Sequence, residues 1–134
     1  MPFVRAQVVE GQLSESRRKA LIDGLMDIIV NTMGRSADST VIILDEIPAA
    51  RWFIAGIPLS ESGAGGGAAA VQIHVSRGTC RPEEMEAVVE AGKTLVTKVM
   101  GSWEASNYFM IQELNPDAWG IDGSTMTAKR KASG

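Results

Sequence analysis

The 134 residues make one domain's worth of chain, and a net charge of -3 argues against nucleic acid or an anionic membrane as the main partner. The single cysteine, Cys80, allows no internal disulfide and suits a reducing compartment, and one His with one Cys cannot build the usual N/S metal site. No stretch approaches the roughly 18 apolar residues of a membrane span, and no basic leader precedes a long apolar run, so the chain reads as cytoplasmic with no membrane or metal partner.

The chain opens with Met1-Pro2 and runs at once into the alternating apolar segment Phe3–Val9, which predicts a strand. Pro at position two is common because Met is trimmed before small residues. Here it has a chemical consequence as well, since loss of Met1 leaves a secondary amine at a strand start. A main-chain amine titrates somewhat above neutrality and apolar surroundings disfavour its charged form, so a terminal Pro2 is expected to act as a base near pH 7. Ser14 is the expected N-cap of a helix in which Leu21, Ile22, Leu25, Met26, Ile28, Ile29 and Met33 recur at spacings of three and four until Gly34. The apolar run 41–44 predicts a buried strand.

Residues 60–68 hold Gly63-Ala64-Gly65-Gly66-Gly67 and read as a linker, because no Lys-Ser/Thr pair follows as a phosphate-binding loop requires. A second strand is expected over 70–75. A second helix then starts at Pro82, with Glu83 and Glu84 in its first turn and Met85, Val88, Val89, Leu95, Val96, Val99 and Met100 as its apolar stripe, and a last strand runs over 108–111. From Ser124 onward, including Lys129-Arg130-Lys131, the chain reads as a solvated, flexible tail.

The two halves are copies. Adding 67 to a position carries Gly11 to Gly78, Met33-Gly34 to Met100-Gly101, Glu46-Ile47 to Glu113-Leu114, Trp52 to Trp119, Ile54 to Ile121 and Gly56 to Gly123 without a gap. The same step carries Pro2 to Ala69, so only the first half owns the candidate base. The expected organisation is a single domain of two β-α-β units, 2–59 and 69–123, joined by linker 60–68 and followed by tail 124–134. Long crossovers make the strands within each unit parallel. The fold class is therefore α/β (α+β): a four-stranded sheet with two helices on one face. The other sheet face, expected to be apolar and bare, predicts a symmetric oligomer.

These residues resemble the tautomerase superfamily, whose members start Met-Pro, close the first strand on Glu-Gly (here Glu10-Gly11), end the second on Glu-hydrophobic (Glu46-Ile47) and place an aromatic before an Ile-x-Gly turn (Trp52-Phe53-Ile54-Ala55-Gly56). The doubled chain is similar to the fused relatives of 4-oxalocrotonate tautomerase. The resemblance implies a tautomerase/MIF-like fold, a homotrimer, and a cofactor-free enol-keto tautomerase in which the terminal proline moves a proton on a small unsaturated or 2-oxo carboxylic acid. It also implies arginines that grip the carboxylate and an aromatic that walls off water.

The family's arginine after the first-strand Gly is absent, with Gln12 and Thr79 in its two places, and its second-strand arginine is replaced by Val41 and Tyr108. The substrate-binding candidates are therefore Arg77 and Arg81 beside Gly78, then Arg35 or Arg51 reaching a neighbouring chain's site, with Trp52 and Trp119 as walls. His74 reads as a packed residue and Cys80 as a structural thiol. The alternatives are a hydratase, dehalogenase or decarboxylase of three-carbon acids, with Asp38 as a positional candidate for the water-activating acid and Tyr108 for hydrating or protonating the substrate, or a non-enzymatic assembly protein that keeps the fold.

Overall fold

A computed structural model describes residues 2–63 and 66–133. Met1, residues 64 and 65 of the expected linker, and residue 134 of the expected tail lie outside the described residues. The first half runs β1 (Phe3–Val9), α1 (Glu15–Asp27, continued by a π-turn over Ile28–Thr32), β2 (Val41–Ile47), a hairpin of β3 (Phe53–Ile54) and β4 (Ile57–Pro58), and the single turn α2 (Leu59–Ser62). The second repeats it as β5 (Ala69–Ser76), α3 (Pro82–Met100), β6 (Tyr108–Leu114), a hairpin of β7 (Gly120–Ile121) and β8 (Ser124–Thr125), and α4 (Met126–Ser133).

The helices start and stop where local chemistry directs. Ser14 accepts from the Arg17 amide at the N-terminus of α1, and Pro82 occupies the first turn of α3, where a missing N–H costs nothing. Gly34 and Gly101, both at positive φ, end the two helical runs.

The sheet order is β2-β1-β5-β6. Strands within each half are parallel, and the halves meet antiparallel between β1 and β5, with Phe3 opposite His74. Alternation along β1 and β5 sends Val4, Ala6, Val8, Val71, Ile73 and Val75 into one core with Leu21, Leu25, Ile29, Val88 and Val96 of the helices. Where α3 crosses β6 and where it meets α1, glycine is a packing requirement: a Cβ on Gly92 would strike the Phe109 ring, and one on Gly24 would strike Leu95.

The duplication is visible in the backbone. The Glu10 amide donates to the Ile47 carbonyl at 2.7 Å and its counterpart, Arg77, to Leu114 at 2.7 Å; Leu59 donates to Trp52 at 2.9 Å and Met126 to Trp119 at 2.9 Å. Both hairpins turn on a positive-φ pair, Ala55-Gly56 and Asp122-Gly123.

Three expectations need correction. The run 41–44 is not a buried strand: β2 is an edge, and Val41 and Ile43 are 45% and 46% exposed on the face away from the helices. That face is mixed, not apolar, since Arg5, Gln7, Asp45, Gln72, His74 and Gln112 share it with Phe3, Val41, Ile43 and Tyr108, and Arg5 Nε pairs with Asp45 at 3.1 Å. A strand with one partner keeps its apolar run for lack of a cover in its own chain, which periodicity alone does not reveal. The segment read as a flexible tail forms β8 and α4, because Met126 is buried and the Thr127 hydroxyl pairs with Asp117.

Candidate active site

Pro2 is fully buried at the entry of β1, and its carbonyl accepts from the Val41 amide. Continuing the β1-β5 register by one step sets Pro2 opposite Val75. Val75 is one wall of a cavity of about 630 Å³ whose other walls include Ser76, Thr79, Arg35, Met126, Lys129 and Arg130. Three cations and, among the described residues, no carboxylate stand on that lining.

Arg35 is placed by the end of the first helical run. The π-turn and the left-handed Gly34 fold the chain back, so that the Arg35 amide donates to Ile29 O at 2.9 Å and the side chain is thrown toward the second half. Its Nη2 donates to the Thr79 carbonyl and to Thr79 Oγ1 at 3.2 Å, while its buried Nε has no partner among the described residues. Arg35 as a residue lines the cavity, and a guanidinium there suits an anion. Thr79 is the repeated place of the absent family arginine, so a guanidinium from the other half of the same chain stands where that arginine is missing. The contacts that Arg35 makes among the described residues are within its own chain.

The other candidates fall elsewhere. Arg77 is exposed and Arg81 is bound to its own helix start, 2.8 Å from Glu84 and 3.8 Å from Glu83; neither lines the cavity. Hydrogen bonding to Glu84, followed by its charge, holds the Arg81 guanidinium even more firmly ionised than usual. Trp119 donates from Nε1 to Ser76 Oγ at 3.1 Å, which fastens the second hairpin to the cavity wall. Trp52 and Arg51 line a different cavity, with Tyr108 and Ala69. Asp38 is exposed, and His74 meets the Phe3 carbonyl through Nδ1 at 3.0 Å. Cys80 is buried, and burial, then the Glu84 carboxylate, pushes its thiol above the ordinary range despite the opposing influence of Arg35.

Lys129 and Arg130 are the cavity residues that a reading of the sequence passes over. The available signal is the repeat: Met126 corresponds to the buried Leu59, so the residues just after it cannot be a free tail.

In the second half, the glycines at the end of the linker lie against the counterpart of Arg35. A Cβ on Gly67 would strike the backbone of Ser102, the counterpart of Arg35, and one on Gly66 would stand 3.5 Å from Ser102 Oγ and 3.8 Å from Gln12 Oε1. Ala69 has no amine to offer: its amide donates to Asn107 Oδ1 at 2.8 Å.

Comparison with known proteins agrees with this architecture. A family model described as tautomerase enzyme matches residues 2–61. The chain is 38% identical over 60 residues to a probable tautomerase of Ralstonia nicotianae, covering 45% of this chain and 84% of the relative. It is 33% identical over 61 residues to a probable tautomerase of Dickeya dadantii, covering 46% and 91%, and 30% identical over 63 residues to a 2-hydroxymuconate tautomerase of Pseudomonas putida, covering 47% and 98%. Among solved structures, native fused 4-OT superposes with a TM-score of 0.84 at 21% identity over 94% of this chain and 97% of that one. A fused 4-OT described as an asymmetric trimer gives 0.82 at 21% over 95% and 98%. The duplicated β-α-β architecture and these likenesses together show that the chain belongs to the tautomerase family, in its fused form.

Proposed function

We propose that the chain is a cofactor-independent enol-keto tautomerase acting on a small unsaturated or 2-oxo carboxylic acid, with Pro2 as general base and then general acid. What supports this reading is a buried Pro2 one register step from Val75, a wall of a cavity lined by Arg35, Lys129 and Arg130 with no carboxylate among its described lining residues. Burial opposes protonation of a terminal amine, so a processed Pro2 starts neutral and accepts the enol hydroxyl proton. The ammonium so formed returns a proton to the carbon end of the dienol, and the ketone results with no net change in protons. Arg35 holds the carboxylate, because a guanidinium stays ionised while the proton moves. Trp119 does not line this cavity and touches it only through Ser76, whose hydroxyl accepts from its indole N–H.

Within this reading the first unit ends on α2 and the second on α4, and the open sheet face meets other copies in a homotrimer. The hydratase or dehalogenase alternative requires an acid beside Pro2, and neither Asp nor Glu lines the described cavity.

Mass measurement on protein from its own host should show Met1 absent. Pro2→Ala should lower the tautomerisation rate of a 2-hydroxydienoate by about 10²- to 10⁴-fold, the usual scale of acid-base catalysis. Unchanged rates in a folded variant would sink the mechanism.

A further inference from the structure

Thr79 closes the turn over 76–79, in which Gly78 lies at positive φ. Its amide donates to the Ser76 carbonyl at 3.3 Å and its hydroxyl to the same oxygen at 2.6 Å. A threonine hydroxyl has a single proton, so giving it to Ser76 leaves only lone pairs for Arg35 Nη2, which lies 3.2 Å away and can only donate. The Thr79 carbonyl accepts from the same nitrogen. Both acceptors are neutral, and Arg35 forms no ion pair with a carboxylate among the described residues. The repeat does not duplicate the pair: the counterparts are Gln12 and Ser102, neither of them a cation, with Gly66 and Gly67 against Ser102.

We infer that Thr79 is a positioning residue for the proposed reaction: its hydroxyl, oriented by the Ser76 carbonyl, holds the Arg35 guanidinium in the direction from which it grips the substrate carboxylate. This rests on the reading that Arg35 takes that carboxylate. An arginine free in solvent gives up rotamer freedom when it binds, and an acceptor that fixes one of its nitrogens beforehand removes part of that cost. An aspartate in this place would also fix the arginine, but it would cancel the charge that the substrate needs. A neutral hydroxyl holds the guanidinium and leaves its charge to the anion. The half without the terminal amine thus serves the half that owns it.

A double-mutant cycle on the processed, assembled chain tests this with a 2-hydroxydienoate as substrate. Thr79→Val should raise KM by about three- to tenfold with kcat within about twofold, the scale of one hydrogen bond that acts through binding. Thr79→Ser, which keeps the hydroxyl, should restore KM. In an Arg35→Ala background the Thr79→Val change should have no further effect, because the two residues act as one. Thr79→Ala gives the same comparison if the valine variant does not fold. A wild-type KM in Thr79→Val, a serine variant as impaired as the valine one, or an equal cost of Thr79→Val with and without Arg35 would overturn the inference and leave the Arg35 grip standing. A wild-type KM in Arg35→Ala alone would instead remove that grip from the proposed function, and this inference with it.

Discussion

Arg35 shows how much one side chain depends on the backbone before it. Gly34 turns the chain, the Ile29 carbonyl holds the Arg35 amide, and Thr79 fixes one guanidinium nitrogen while the buried Nε has no partner among the described residues. Arg35→Ala is therefore expected to cost about 1.5 to 3 kcal/mol in kcat/KM, the range for a hydrogen bond to a charged group, and Arg35→Lys to restore only part of it because a point charge lacks the fork. Arg77→Ala and Arg81→Ala should stay close to wild type; steady-state kinetics on all four variants checks the order. Cys80 gives the pH counterpart. Burial and Glu84 favour the neutral thiol in the folded chain, so thiolate is scarce at neutral pH and increases only above the ordinary cysteine range. Alkylation by iodoacetamide should be slower than that of a free thiol at pH 8 and should climb at higher pH. A rate at pH 8 equal to that of glutathione would contradict the burial. By linkage, the stability that Cys80 contributes is complete below its unfolded pKa and is lost as pH rises through its raised folded pKa.

Among the elements, α3 is positioned by a glycine and not by its apolar stripe alone. Gly92 lets the helix descend onto the Phe109 ring of β6, and Gly24 lets α1 approach Leu95. Leu95 can swing its methyl groups aside, whereas the Phe109 ring is rigid and belongs to a sheet strand. Gly92→Ala should thus destabilise by about 1 to 3 kcal/mol from overpacking, offset by roughly 1 kcal/mol of helix propensity, and it should cost more than Gly24→Ala. Urea unfolding midpoints of the two variants test the ranking; equal midpoints would mean that the Phe109 contact is soft. The helical stripes themselves were legible from spacing, because Leu21, Leu25, Ile28, Ile29 and Met33 are buried as their periodicity requires. Val89 is the exception at 43% exposure, since the width of a helix's buried face depends on what it packs against.

At the scale of the whole molecule, the duplication makes two unequal halves. One owns a buried proline one register step from a cavity wall; the other has Gly66 and Gly67 against Ser102, the counterpart of Arg35, and its nitrogen tied as an amide. An electrophilic 2-oxo acid that modifies neutral amines should consequently label one residue per chain, Pro2, and three per trimer. Placing proline at position 69 should add no second label, because a mid-chain proline nitrogen has no free lone pair. Intact-mass analysis with sedimentation decides it: two labels per chain, or a particle that sediments as a monomer, would contradict the arrangement.

By itself the sequence determined the repeat, the strand-helix-strand order, the N-cap at Ser14, the stop at Gly34, the helix start at Pro82, and the asymmetry between Pro2 and Ala69. Each of these is a local matter of spacing, dihedral preference or residue type. Only the tertiary structure decided which arginine lines the cavity at Val75 and Thr79, because that depends on the antiparallel meeting of β1 and β5 bringing the end of the first helical run against Thr79 of the other half. It also decided that the residues after Ser124 form a cavity wall, since Lys129 and Arg130 have a direction only once Met126 is anchored in the core. Contacts between residues 44 positions apart leave no mark on local periodicity, and a side chain's role there is set by what the fold brings to meet it.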